Sequence, residues 1–240
     1  MPSKQKHRGQ HQEDPNLFSA KMLPKLNEAV KDLSFLLSRG YSDNASIKLV
    51  GDHFRLTQRQ RQALMRASCG FDKLEHRKNL SLGVEELPGR SMAIDGYNLL
   101  ITVEAALAGG IVIDCQDGYY RDIASVHGTY RRVEETIPAL EMIGRILQDL
   151  GIASVNWYLD KPVSNSGKLK GMMYEIGGKH GFPWKVRLSN NPDKVFPTLV
   201  DEVIVSSDSW ILDHIDTNFN LHKFIVDTIP NVNLIALNGA

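Results

Sequence analysis

The stretch SMAIDGYNLL, Ser91–Leu100, puts an acidic residue at the end of a short apolar run. Met92–Ile94 has the composition of a strand buried in the middle of a sheet, and Asp95 follows it directly. Gly96 then interrupts the strand before the apolar pattern resumes. A single acidic strand end carries little information. Several in one chain indicate a site, and this chain repeats the pattern.

After this stretch, apolar runs with strand composition alternate with stretches of helical periodicity. Such alternation predicts an α/β fold whose parallel sheet is covered by helices on both faces. Two short β-like runs flank Asp117-Gly118 and predict a hairpin inserted near residues 109–123. The apolar runs outside this hairpin are Met92–Ile94, Val155–Leu159, Lys185–Leu188, Val203–Val205 and Leu234–Leu237.

The chain before residue 89 has a different character. Residues 1–16 are polar and basic and predict a disordered tail. Residues 17–88 show helical spacing and predict a small all-helical accessory domain. The composition of His76–Arg90 predicts a linker at the end of that domain. The α/β domain is predicted to span residues 89–240.

One of the predicted helices is basic and begins after Thr57, which can cap it. Its arginines are Arg59, Arg61 and Arg66. The pattern is typical of a DNA-reading helix–turn–helix module or of a helical bundle with solvated arginines. The bundle is favoured, because no recognition-helix signature is visible.

Composition and charge restrict the class of protein. The chain is 42% hydrophobic and 23% charged, and no apolar run approaches the length of a membrane span, so no membrane partner is expected. Cys69 and Cys115 have no metal-binding spacing, so a reducing cytoplasm is the expected location. Residues 1–90 carry 16 Lys and Arg against 10 Asp and Glu, and the remainder 12 against 18. This asymmetry indicates a nucleic-acid partner or a chance distribution of solvated charge.

Acidic residues follow several of the predicted strands. Asp95, Asp160 and Asp208 end three of the runs, and Asp193 lies at a predicted helix start after a fourth. Each alone could be a helix cap or a turn residue. In a parallel sheet, however, all four would converge on the edge where ligands bind. Their mutual repulsion requires protons or a counter-charge, and a hard divalent cation is the simplest solution.

The segments AIDGYNLL, WYLDK and VIVSSDSWIL resemble the strand-end acids of PIN-like nucleases, particularly the NYN branch. The resemblance covers roughly residues 91–240, and Ser206-Ser207-Asp208 matches the S/T-x-D motif of that family. It implies a PIN-like, Rossmann-like parallel-sheet C-terminal domain beside the small all-helical N-terminal domain. The whole chain also resembles an uncharacterised archaeal-type protein that pairs two such regions.

The resemblance implies a metal-dependent nuclease that hydrolyses phosphodiester bonds in RNA. Asp95, Asp160 and Asp208 would bind Mg²⁺ or Mn²⁺, and Asp193 would be a further catalytic acid. Glu134 or Glu135 could replace it, or could be ordinary exposed helix charges. Asn98 would orient a water or a phosphate, and Ser206 would support Asp208. The residues expected to bind single-stranded RNA are Lys161, Lys168, Lys170, Arg131 and Arg132, with His127 in a structural or RNA-contacting role.

Two alternatives to this hypothesis stay open. The domain could keep the fold without catalysis and act as a nucleic-acid-binding or scaffold protein. A phosphatase acting on small molecules is disfavoured, because its aspartyl nucleophile needs a second acid two residues after Asp95, where Tyr97 stands. A homo-oligomer is compatible with the sequence under each of these readings.

Overall fold

The computed structural model describes residues 6–124 and 128–239. The strands in these ranges are β1 (Ser91–Asp95), β2 (Ile111–Cys115), β3 (Tyr120–Asp122), β4 (Ser154–Asp160), β5 (Trp184–Ser189), β6 (Glu202–Val205) and β7 (Asn233–Leu237). The α-helices are α1 (Asp14–Leu17), α2 (Leu23–Ser38), α3 (Asp43–His53), α4 (Gln58–Ala67), α5 (Phe71–Asn79), α6 (Gly96–Leu107), α7 (Thr136–Asp149), α8 (Ser166–His180), α9 (Ser209–Leu212) and α10 (Leu221–Val226). The protein is a mixed α/β protein with a parallel sheet and an N-terminal helical region.

The central sheet has the strand order β5-β4-β1-β6, and every neighbouring pair is parallel. The side chains of β1 alternate between two apolar clusters, since Met92 and Ile94 pack with α6, α7 and α8 while Ala93 packs on the opposite face. Both faces are therefore covered, as the alternation of strands and helices predicts. The chain runs from β1 through β4 to β5 on one side and returns to the other side of β1 with β6.

The first turn of α6 lies very close to β4. A side chain on Gly96 would come within 2.5 Å of Leu159 Cδ2 and 2.9 Å of the carbonyl oxygen of Tyr158. Only a glycine lets the helix begin immediately after β1 at this distance. This close approach keeps the start of α6, and with it the end of β1, directly beside the end of β4.

A second sheet, with the order β3-β2-β7, joins the helical region to the rest of the molecule. Strands β2 and β3 are antiparallel and occupy the place of the predicted hairpin, and β7 pairs with β2 in parallel. The prediction groups the run Leu234–Leu237 with the strands of the parallel sheet. The structure instead places it beside the hairpin, where Ile235 and Leu237 complete an apolar face made by Ile111 and Ile113.

The helical region does not have a core of its own. Leu26, Val30 and Leu64, from α2 and α4, belong to the same apolar cluster as Ile113 of β2 and Ile235 of β7. The predicted boundary near residue 89 therefore does not separate two hydrophobic cores. The helices and the second sheet bury their apolar faces against each other.

The structure also differs from the prediction at the tail and at the linker. The segment 6–16 is anchored at two points, because Arg8 forms a buried ion pair with Glu104 and the buried Asp14 forms a partly buried one with Arg59. Residues 1–5 lie outside the described ranges. The predicted linker begins inside α5, whose Arg77 is buried. None of the helices in the two described ranges combines the length and the apolarity that crossing a bilayer requires.

Candidate active site

Four acidic residues lie at the carboxyl edge of the central sheet. Asp95 is the last residue of β1 and Asp160 the last residue of β4. Asp208 follows β6 and immediately precedes α9, while Asp193 lies in a turn after β5. Because these strands are parallel neighbours, all four residues lie on the same edge, as the sequence predicts.

The four carboxylates influence one another electrostatically. Burial raises the pKa of the Asp95 carboxyl well above its usual value, and the charges of Asp208, Asp193 and Asp160 raise it further. The pKa of Asp193 is raised by partial burial, then by Asp208 and Asp160. Burial also raises the pKa of Asp160. The edge of the sheet thus concentrates negative charge that proton binding or a cation would relieve.

A short polar loop after β6 holds Asp95 in place. Ser206 Oγ donates a hydrogen bond to Asp95 Oδ2 at 3.0 Å and accepts one from the backbone N–H of Asp208 at 3.0 Å. Ser206 therefore supports the carboxylate of Asp95 and only the backbone of Asp208, whereas the sequence predicts support for Asp208 itself. The hydroxyl lies nearer to β1 because β1 and β6 are adjacent strands.

Asn98 connects the first turn of α6 to the same loop. Its Oδ1 accepts hydrogen bonds from the Ser207 backbone N–H at 2.8 Å and from Ser207 Oγ at 3.0 Å. This oxygen is therefore engaged in positioning the loop, which differs from the predicted role of orienting a water or a phosphate. The side-chain amide N–H groups of Asn98 are the atoms that could still serve that role.

The two outer acids have different local settings. Asp208 Oδ1 accepts hydrogen bonds from the backbone N–H groups of Trp210 and Ile211, at 2.8 and 3.2 Å, so one carboxylate oxygen caps α9. The helix start predicted at Asp193 is a turn, followed by a 3₁₀ helix at Phe196–Thr198. Asp193 nevertheless belongs to the cluster through its interaction with Asp208 and Asp160.

Within residues 6–124 and 128–239, no three His, Cys, Asp or Glu side chains form a ready-made ligand group for a metal ion. Glu134 and Glu135, the predicted substitutes, contact His7 instead, at 3.8 and 2.6 Å. The cluster therefore consists of the four strand-end acids.

Two buried arginines hold the loop that carries Asp208. Arg121 Nε donates to the carbonyl oxygen of Ser207 at 2.6 Å, and Arg77 Nη2 donates to that of Ser209 at 3.1 Å. Both arginines also bind the buried carboxylate of Asp117, at 2.7–2.8 Å. The residues on either side of Asp208 are thus fixed by one charged network. The sequence signal for it is weak, since Asp117 and Arg121 are two of four charged residues in the hairpin Ile111–Asp122.

The predicted RNA-binding cations lie around the loop after β4. Lys161 directly follows Asp160 and is exposed, and Lys168 and Lys170 lie in the first two turns of α8. Hydrogen bonds from Ser164 N to the Gly128 carbonyl and from Tyr130 N to the Ser164 carbonyl join this loop to the segment that contains the exposed Arg131 and Arg132. The structure therefore brings these two groups of cations together. His127 lies outside the described residues.

Comparisons with known proteins give two family matches. Residues 25–79 match the model described as "Protein of unknown function (DUF434)", and residues 84–224 match "Domain of unknown function (DUF5616)". The chain is 28% identical over 204 residues to "Uncharacterized protein MJ0935" of Methanocaldococcus jannaschii. The aligned stretch covers 85% of this chain and 94% of that protein. No solved structure matches the chain. Because the second model spans more than half of the 240 residues, including Asp95, Asp160, Asp193 and Asp208, the chain belongs to the DUF5616 family.

Proposed function

We propose that this protein is a metal-dependent nuclease that hydrolyses phosphodiester bonds in single-stranded RNA on a PIN-like α/β domain. The observation that carries the proposal is the position of Asp95, Asp160, Asp193 and Asp208 at one edge of the parallel sheet. Burial and the charges of the other three acids raise the pKa of Asp95 there. In open α/β sheets, ligands bind at the carboxyl edge where the strand order reverses. Here the reversal falls between β1 and β6, which lead to Asp95 and Asp208.

The donor set suits Mg²⁺ or Mn²⁺. It offers only carboxylate oxygens, and Mg²⁺ commonly binds one or two carboxylates while it keeps several of its waters. When bound, the cation would stabilise charge on the phosphate oxygens and provide an activated water.

The residues around the acids have supporting tasks in this proposal. Ser206 orients Asp95, and Asn98 fixes the loop through Ser207. Arg121 and Arg77 act indirectly, since they donate hydrogen bonds to the carbonyl groups of the two residues that flank Asp208. The exposed lysines after β4, Lys161 and Lys168, are available for contacts with phosphates.

The test is single-turnover cleavage of a labelled single-stranded RNA with Mn²⁺, with Mg²⁺ and with EDTA. Asp208→Asn is the informative variant because an asparagine oxygen can still accept the two capping hydrogen bonds of α9. Loss of about 3–4 kcal/mol of transition-state stabilisation would slow cleavage by roughly two to three orders of magnitude. Melting curves should show that the variant stays folded.

Asp149→Asn is the matched control. Asp149 is an exposed residue at the end of α7, just before β4 begins at the opposite edge of the sheet. The same chemical change there should leave cleavage unaltered. Equal cleavage by the wild type and Asp208→Asn would place the activity outside this site. RNA binding without cleavage by any of the proteins would favour the scaffold alternative.

A further inference from the structure

Helix α4 of the N-terminal region forms a wall beside the acidic cluster. A cavity of about 440 Å³ is lined on one side by Met65 and Arg66 and on the other by Asp208 and Ser209. A smaller cavity of about 210 Å³ is lined by Arg66, by Asn98 of α6 and by Ser207 of the loop after β6. The carboxylate of Asp122 also lines it. Burial raises the pKa of this carboxyl, and Arg66 lies close enough for its charge to offset part of that rise. Arg66 lines both cavities, so the helical region contributes a cation directly beside the proposed site.

These cavities continue into a basic one at the N-terminal segment. That cavity, of about 830 Å³, shares Gln62 and Ile123 with the first cavity and Ala124 with the second. Its titratable lining residues are Lys6, His7, Arg8, His11 and Arg59, with no Asp or Glu among the described residues that line it. Three of them are already paired with carboxylates behind this lining, namely Arg8 with Glu104, Arg59 with Asp14 and His7 with Glu135. The shared residues Gln62 and Ile123 link the cavity beside Asp208 along α4 to the pocket at the N-terminal segment.

One face of α4 supplies groups that line these cavities. Arg59, Gln62 and Arg66 are spaced by three and four residues, so they lie on the same side of the helix. Arg59 and Arg66 are about 10 Å apart along the axis. A stacked single strand advances about 3.4 Å per nucleotide, so this face can follow several consecutive phosphates.

The arginines on this face have N–H groups that can donate hydrogen bonds to phosphate oxygens. Asp14 holds Arg59 through Nε at 2.5 Å and Nη2 at 2.8 Å, and no described residue accepts a hydrogen bond from its Nη1. Among described residues, none forms a hydrogen bond or ion pair with the Arg66 guanidinium, which is exposed. Guanidinium groups with free N–H edges are well suited to phosphate recognition, and Asp14 holds that of Arg59 in place.

We infer that the N-terminal helical region is the second half of the nucleic-acid-binding surface, and that a single-stranded RNA lies along α4 from the acids into the basic pocket. The statement that the RNA reaches Asp208 rests on the proposed nuclease function. The binding surface does not rest on that function, because it is argued from the free N–H groups of Arg66 and Arg59 and from the cavities that these residues line. The helices would thereby contribute to substrate binding as well as to the hydrophobic core.

The test measures binding without catalysis. Fluorescence anisotropy of a 5′-labelled 20-nucleotide oligouridine in EDTA gives the affinity and its dependence on salt. Arg66→Ala and Gln62→Glu change exposed side chains, so both variants should fold normally. Arg66→Ala should weaken binding about 3–10-fold and reduce the magnitude of the salt slope by about 0.7, the value for one phosphate contact on a single strand. Gln62→Glu should weaken binding by a similar factor through repulsion.

Arg90→Ala is the matched control, since Arg90 is exposed and directly precedes β1 at the opposite edge of the sheet. It should bind RNA like the wild type. Wild-type affinity and salt slope in both α4 variants would overturn the inference, as would an absence of RNA binding by the wild type. Equally strong displacement of the RNA by polyglutamate would overturn it in favour of an acidic polypeptide partner. Weakened binding in the α4 variants of a protein that never cleaves RNA would support this surface while refuting the nuclease proposal.

Discussion

Replacing Arg8 tests whether the N-terminal segment is part of the folded protein. The Arg8 side chain is 7% exposed and pairs with Glu104, whose side chain is fully buried. Arg8→Ala would leave that carboxylate with only neutral donors, the hydroxyls of Tyr130 and Thr136, each at 2.5 Å. Removing one partner of a buried ion pair costs about 3–5 kcal/mol. For a protein of this size, the corresponding fall in Tm is about 6–20 °C.

Urea unfolding followed by circular dichroism measures the loss, and two further variants identify its origin. Gln10→Ala changes an exposed residue of the same segment and should alter the free energy of unfolding by less than about 0.5 kcal/mol. Arg8→Met combined with Glu104→Gln removes both charges and should recover at least half of the loss. A loss below about 1 kcal/mol in Arg8→Ala is the size expected of an exposed ion pair. That result would refute the buried anchor and support the disordered tail predicted from sequence.

Three further changes probe the site and its supports. Asp95→Asn should raise stability at pH 8, because the raised pKa means that ionising Asp95 in the folded state costs free energy. This cost is absent below the pKa of Asp95 in the unfolded chain and is complete above its raised pKa in the folded protein. Urea titrations should therefore show that the extra stability of Asp95→Asn over the wild type vanishes near about pH 4. Gly96→Ala should cost about 1–3 kcal/mol through the clash with Leu159 and should reduce cleavage, as urea melts and RNA assays would show. Thr57→Ala should cost about 1 kcal/mol in the same melts because it removes the capping box of α4, and an unchanged midpoint would contradict that geometry.

The parts of the fold that could be predicted are those that local patterns encode. An apolar run followed by an acid is visible in any window, so β1, β4 and β6 and their terminal acids were recognisable. The partner of a strand is not encoded locally. Nothing in the run Leu234–Leu237 distinguishes pairing with β2 from pairing within the central sheet.

The supports of the site were hidden for the same reason. Arg77 reaches the Ser209 carbonyl, 132 positions away, and Arg121 reaches the Ser207 carbonyl, 86 positions away. Charged residues in polar segments are usually solvated, and only the folded chain shows which of them are buried with a partner. Sequence reasoning therefore located the acids and missed the buried charges that hold them.

The pairing of β7 with β2 has a consequence for how this protein folds during its synthesis on the ribosome. Helices α2 to α4 are synthesised about 170 residues before β7, an interval of about ten to thirty seconds at typical rates of elongation. Throughout this interval, Leu26 and Leu64 lack the apolar partners Ile235 and Leu237. The nascent chain is then a candidate for chaperone capture, and chains cut short before β7 should aggregate although they contain every acid of the site.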